Sequence, residues 1–151
     1  GNTEKIIGNW FKKNKTYRNK IILASKVVGK GYDAIRKGEP INPKGMTQAL
    51  DKSLKSLNTD YIDLYQLHWP NRGSYHFRKN WEYDPTDQNK KDILSDMEVL
   101  VDTLYALRDI GKIRAVGLSN ETCWGTLQFN ELVKKRGDLC VASIQNEYSL
   151  L

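Results

Sequence analysis

No apolar run in this chain is long enough to cross a bilayer. The longest are the size of Ile21–Ala24, against the roughly 20 residues that a spanning helix needs. The opening string GNTEKIIGNW lacks the basic start and long apolar stretch of a secretory signal. Cysteine is scarce: Cys123 and Cys140 are the only two in 151 residues. That argues against a disulfide framework and fits a reducing compartment, so the expected location is cytoplasmic. Cys123, beside Trp124, reads as a packed helix residue rather than a reactive thiol. The zinc patterns H-E-x-x-H and C-x-x-C are missing, as are the phosphate loop G-x-x-x-x-G-K-[ST] and the nucleophile elbow G-x-S-x-G. No metal is therefore expected. A dinucleotide fingerprint G-x-G-x-x-G is also missing, since Gly29 and Gly31 precede a long loop instead of opening a helix.

What is present is a globular composition, 39% hydrophobic and 28% charged, with a net charge of +6. The lysines that produce this charge gather in loops and at helix ends. None forms a basic stripe interleaved with aromatics, so no nucleic-acid partner is expected, and no membrane partner. A surface of this sign also suits a phosphate-bearing small molecule.

Periodicity divides the chain into alternating elements. Ile6, Ile7, Trp10 and Phe11 predict a helix over Thr3–Lys13, capped by Asn2 or Thr3. Ile21–Ala24 predicts a strand, followed by a Gly/Pro-punctuated loop from Val28 to about Gly45. Met46–Leu57 predicts a helix, Ile62–His68 a strand, and Trp69–Lys91 a long polar loop rich in aromatics. Leu94–Ile110 is the clearest helix, with Gly111 as its stop. Ile113–Leu118 then predicts a strand, Thr122–Lys135 a helix and Val141–Ile144 a strand. Such alternation implies a parallel sheet in an α/β fold. Between an open doubly wound sheet and part of a (β/α)8 barrel, the missing fingerprint favours the barrel. A full barrel needs about 250 residues, so one incomplete barrel domain over 1–151 is expected.

Four apolar segments end in residues able to do chemistry: Lys26, His68, Ser119 with Asn120, and Gln145 with Asn146. Parallel strands deliver their carboxyl ends to one rim, where sites form in such folds. Each residue also has a plainer reading. Lys26 could be a solvated strand end, His68 a structural histidine, and Ser119 or Asn120 a helix cap. His76, in the polar loop, is assigned nothing. Amides at the end of an apolar strand need partners, and Ser, Asn and Gln together can donate to and accept from a planar carboxamide.

The strings GNTEKIIGNW, IILASKV, ALDKSLKSLNTDYIDLYQLHWP, LYALRDIGKIRAVGLSNET and IQNEYSLL together resemble the aldo-keto reductases, and among them the bacterial-type branch with a long loop after LHWP. The resemblance implies a partial (β/α)8 TIM barrel, from about helix 2 to strand 6. It also implies an extended NADP(H) cofactor and reduction of aldehydes or ketones by hydride transfer. Of the family's catalytic Asp, Tyr, Lys and His, it places Lys26 and His68 here. A nearby ammonium lowers a tyrosine's pKa from near 10, and the histidine orients or relays the proton. The resemblance assigns Ser119, Asn120 and Gln145 to the nicotinamide carboxamide, and Trp69 to the substrate pocket. The Asp and Tyr would precede Gly1, so the 151 residues alone are expected to be a fragment without appreciable reductase activity. Unpaired sheet edges of the half-barrel would favour self-association. The alternative is a non-catalytic aldo-keto-like binding or regulatory subunit.

Overall fold

A computed structural model describes residues 1–76 and 79–148, and in it the predicted alternation is realised. Helix α1 spans Asn2–Lys13, with a 3-10 turn at Lys15–Lys20 before strand β1 at Ala24–Val27. A second 3-10 turn at Arg36–Gly38 interrupts the following loop. Then come α2 at Pro43–Leu57, β2 at Ile62–Leu67, α3 at Lys90–Asp109, β3 at Ile113–Ser119, α4 at Cys123–Arg136 and β4 at Val141–Gln145. The four strands lie in the order β1-β2-β3-β4, all parallel, so β1 and β4 are the edges of this sheet. This is part of a (β/α)8 barrel.

Local signals explain the boundaries. The Asn42 side chain accepts from the Gly45 N–H at 2.7 Å and Pro43 opens α2, a position where its missing donor costs nothing. Asn89 caps α3, accepting from the Lys91 N–H at 2.9 Å. Gly111, with φ 77°, follows the end of α3 as the expected left-handed stop. β1 differs from its prediction. The apolar run starting at Ile21 lies mostly before the strand, and Ile22 is 84% exposed, whereas Ser25 and Lys26 sit within β1. Ser25 lies on the outer face, donating to Glu4 Oε1, and Lys26 on the inner one, so hydrophobicity alone misplaces the strand.

Alternate strand residues face opposite ways. Val27, Tyr65, Leu67, Val116 and Leu118 are buried among Met46, Leu50 and Leu57 of α2, Met97, Val101 and Leu104 of α3, and Phe129 and Val133 of α4. The register then assigns Lys26, Gln66, Gly117, Ser119, Ser143 and Gln145 to the other, inner face. Gly117 leaves room there: a Cβ would lie 2.6 Å from the Ser143 Oγ and 3.0 Å from the Gln66 Cγ, so these side chains would have to shift. Ser143 Oγ is buried without a hydrogen-bond partner among the described residues.

At the amino ends of the strands, Arg18 donates to Thr59 Oγ1 at 2.8 Å, to the Ile21 carbonyl at 3.0 Å and to the Tyr61 carbonyl at 2.8 Å. It also pairs with Asp63 at 2.8 Å, and Asp63 accepts from the Leu23 N–H and from Arg114. The Tyr61 ring is held between the Arg18 and Arg114 guanidinium groups, each 3.8 Å from its centroid. Burial would raise the Asp63 pKa, but the Leu23 N–H and the two arginines outweigh it and hold the carboxyl below the usual range.

Candidate active site

At the opposite ends of the strands, polar side chains from all four converge. Lys26 Nζ donates to Gln145 Oε1 at 2.8 Å and lies 3.4 Å from Ser119 Oγ. This contact joins β1 to β4. On a flat sheet those strands would stand three spacings, roughly 14 Å, apart with parallel side chains. Tips that meet require the sheet to curl, as barrel strands do. The observation favours the barrel over an open sheet.

Ser119 Oγ donates to the Gln145 carbonyl at 2.8 Å, and the same carbonyl accepts from the Asn120 N–H at 3.0 Å. Asn120 Nδ2 donates to the His68 carbonyl at 3.0 Å and to Ser119 Oγ at 3.1 Å, tying the end of β2 to the end of β3. Asn120 holds a left-handed backbone, φ 51°, which asparagine tolerates better than most residues. Neither Ser119 nor Asn120 caps α4. Thr122 does so, accepting from the Gly125 N–H at 3.1 Å. The plainer capping reading is therefore excluded. Asn146 Nδ2 donates to the Glu121 carbonyl at 3.1 Å.

His68 stands just beyond β2, its N–H donating to the Val27 carbonyl at 2.9 Å. Its ring is tilted 43° against Trp69, with centroids 4.7 Å apart. Burial, and then the Lys26 charge, push the His68 pKa below its ordinary value. Burial likewise lowers that of Lys26. Trp69 Nε1 donates to the Lys30 carbonyl at 2.9 Å, and Gly29 lets the indole lie this close: a Cβ there would be 2.6 Å from the Trp69 Cδ1. Beside His68 and Trp69 opens a cavity of about 660 Å³, bounded by Tyr32, Ile35, His76 and Tyr83.

The amides retain unused capacity. Gln145 Nε2 and Asn120 Oδ1 make no hydrogen bond to the described residues, although Gln145 Oε1 and both Asn120 Nδ2 protons are engaged. One open donor and one open acceptor at a single rim match the carbonyl and amino group of a carboxamide. By donor chemistry, the residues fit a nicotinamide. No cluster of His, Cys, Asp and Glu able to hold a metal occurs among the described residues. No helix there is long and apolar enough to cross a membrane.

The sequence pattern missed two features. His76, given no role, is buried, with Nδ1 3.1 Å from Ser74 Oγ and its ring stacked on Tyr75 at 4.4 Å. Arg72 and Glu121 form a buried ion pair between the loop after β2 and the start of α4. They are 49 residues apart in sequence, and no local periodicity links them.

Fold and rim together define a (β/α)-barrel chain with a polar site at the carboxyl ends of its strands. Comparison with known proteins gives the class a family. The aldo/keto reductase family model matches residues 1–151. The chain is 41% identical over 157 residues to Protein tas of Escherichia coli (strain K12), covering 100% of this chain and 43% of that protein. It is 39% identical over 143 residues to an aldo-keto reductase of Babesia bovis, covering 88% of this chain and 49% of that protein. With Aldo-keto reductase YhdN of Bacillus subtilis (strain 168) it shares 34% over 122 residues, 80% of this chain and 29% of that protein. The chain belongs to the aldo/keto reductase family. It spans no more than about half the length of these curated relatives.

Proposed function

We propose that this chain is the cofactor- and proton-handling part of an NADPH-dependent reductase of aldehydes and ketones. The observation that carries the reading is the Lys26–Ser119–Gln145 network, with Asn120 Oδ1 and Gln145 Nε2 unbonded by the described residues at the same rim. When bound, the nicotinamide supplies a hydride to the carbonyl carbon. Asn120 Oδ1 would accept from its carboxamide and Gln145 Nε2 would donate to it, so these two amides would hold and orient the group. Lys26 would supply a positive charge at this rim and so depress the pKa of the tyrosine that the family pattern supplies in the intact protein. His68, kept neutral by burial and the Lys26 charge, orients that hydroxyl or the carbonyl oxygen. Trp69 forms a wall of the carbonyl substrate's cavity.

The test uses the intact protein with NADPH and an aromatic aldehyde, followed by loss of the reduced-nicotinamide absorbance. Protein-dependent oxidation is expected, and Lys26→Met should lower kcat by about 10²-fold or more. NADPH binding without turnover by the wild-type protein would overturn the reading and favour a binding subunit.

A further inference from the structure

The long loop between β2 and α3 is fastened at its root on two sides. Asn71 exchanges hydrogen bonds with Ile41, accepting from its N–H at 2.7 Å and donating to its carbonyl at 2.8 Å. It also donates to Asp96 Oδ2 at 3.0 Å. The next residue reaches the other way. Arg72 Nη1 donates to Glu121 Oε2 at 3.1 Å, Nη2 donates to Glu121 Oε1, and Nη2 also lies 3.1 Å from Thr122 Oγ1. Side-chain exposure is 7% for Arg72 and 3% for Glu121, so both charges are out of water and held by a two-pronged geometry. The guanidinium also lies over the Trp124 ring at 5.2 Å.

This pair joins the two halves of the site. On one side, the Arg72 carbonyl accepts from Gln88 Nε2 at 3.0 Å, and the same amide reaches Tyr83 OH at 3.3 Å, so Arg72 organises the loop that walls the cavity. On the other, Glu121 directly follows Ser119 and Asn120, and its carbonyl is bonded by Asn146. The fold leaves room for the pair at one place. A Cβ on Gly125 would overlap the Glu121 carboxyl group and sit 2.5 Å from Arg72 Nη2.

We propose that Arg72 and Glu121 are positioning residues that fix the aromatic loop against the segment bearing Ser119 and Asn120, and so set the gap between the substrate's cavity and the cofactor rim. Gly125 is the residue that permits the pair. The proposal rests on the reductase reading. Misplacing a wall by about 1 Å can cost up to about 10²-fold in rate, whereas the bonds among Ser119, Asn120 and Gln145 do not depend on the pair.

The experiment compares three variants of the intact protein. Glu121→Gln strands a buried cation and could fail to fold. Arg72→Met/Glu121→Gln removes both charges together, and Gly125→Ala keeps both charges while displacing their flexible ends. For the last two, the aldehyde KM should rise about tenfold, while the NADPH Kd from fluorescence titration stays within about threefold. Amide exchange in residues 72–76 and 79–89 should speed up about tenfold or more, with β3 unchanged. A merely structural pair would lower the urea midpoint and leave KM unchanged in the folded fraction. A wild-type KM in the double variant, or unchanged exchange in the loop, overturns the proposal. An inactive wild type overturns the reductase reading instead, and loop exchange still reports on the pair.

Discussion

The two rims of this sheet use similar residues to opposite ends. At the amino ends, every side-chain nitrogen of Arg18 is bonded, Asp63 accepts from Leu23, Arg18 and Arg114, and Tyr61 lies between two guanidinium groups. At the carboxyl ends, Lys26, Ser119, Asn120 and Gln145 are bonded to one another, yet among the described residues an amide donor and an amide acceptor are left over. A saturated network can stabilise the fold, but it has nothing to offer a ligand. The open one holds itself in place and keeps capacity in reserve. Polarity alone does not mark a site; unspent hydrogen bonding at a preformed rim does.

Mutation can break this contrast directly. The largest expected effect is at the saturated rim. Asp63→Ala strands Arg18, and the free energy of unfolding of the intact protein in urea should fall by about 3 kcal/mol or more. Its NADPH Kd should stay within about threefold of wild type, and a larger change would erase the distinction between the rims. Gln145→Ala should do the reverse: a Kd raised about tenfold, equal to about 1.4 kcal/mol, with stability altered by less than about 1 kcal/mol. Calorimetric titration checks the affinity, and an unchanged Kd would remove Gln145 from the cofactor's seat.

The smallest effect is pH-dependent. The His68 pKa is depressed in the folded chain, so below its ordinary value near 6.5 the unfolded state takes up the proton first. The stability linked to the neutral ring is complete above that pH and is lost as pH falls through the folded-state pKa. Wild type should therefore lose stability relative to His68→Gln on acidification from pH 7 to 5. A constant difference between the two across that range would contradict the lowered pKa.

The sequence announced the periodic parts of this fold and understated the functional ones. α3 was legible because Leu94, Met97, Val101 and Leu104 face the core at helical spacing. Its first turn, from Lys90, escaped because solvent-facing residues carry no apolar signal. β1 was placed too early for a related reason. Its inner face bears Lys26 beside Gln66, so the strand does not read as a hydrophobic run. The rim residues were legible as polar endings of apolar strands, and their roles came from family resemblance rather than pattern. The Arg72–Glu121 pair was out of reach, since it is created by the meeting of two loops.

The bond between Lys26 and Gln145 spans 119 positions of the chain. Contacts of such separation carry the greatest loop-closure entropy, and they slow folding more than they add stability. Hairpin-like shortcuts are closed to a parallel sheet, so β2 and β3 must already be paired before the edge strands can face each other across the curl. The arrangement around Lys26 is accordingly expected among the last to form. An intermediate with β1, β2 and β3 in place would hold a buried core and a lysine left with the longer Ser119 contact alone. The polar network at this rim is complete only when β4 has brought Gln145 to it.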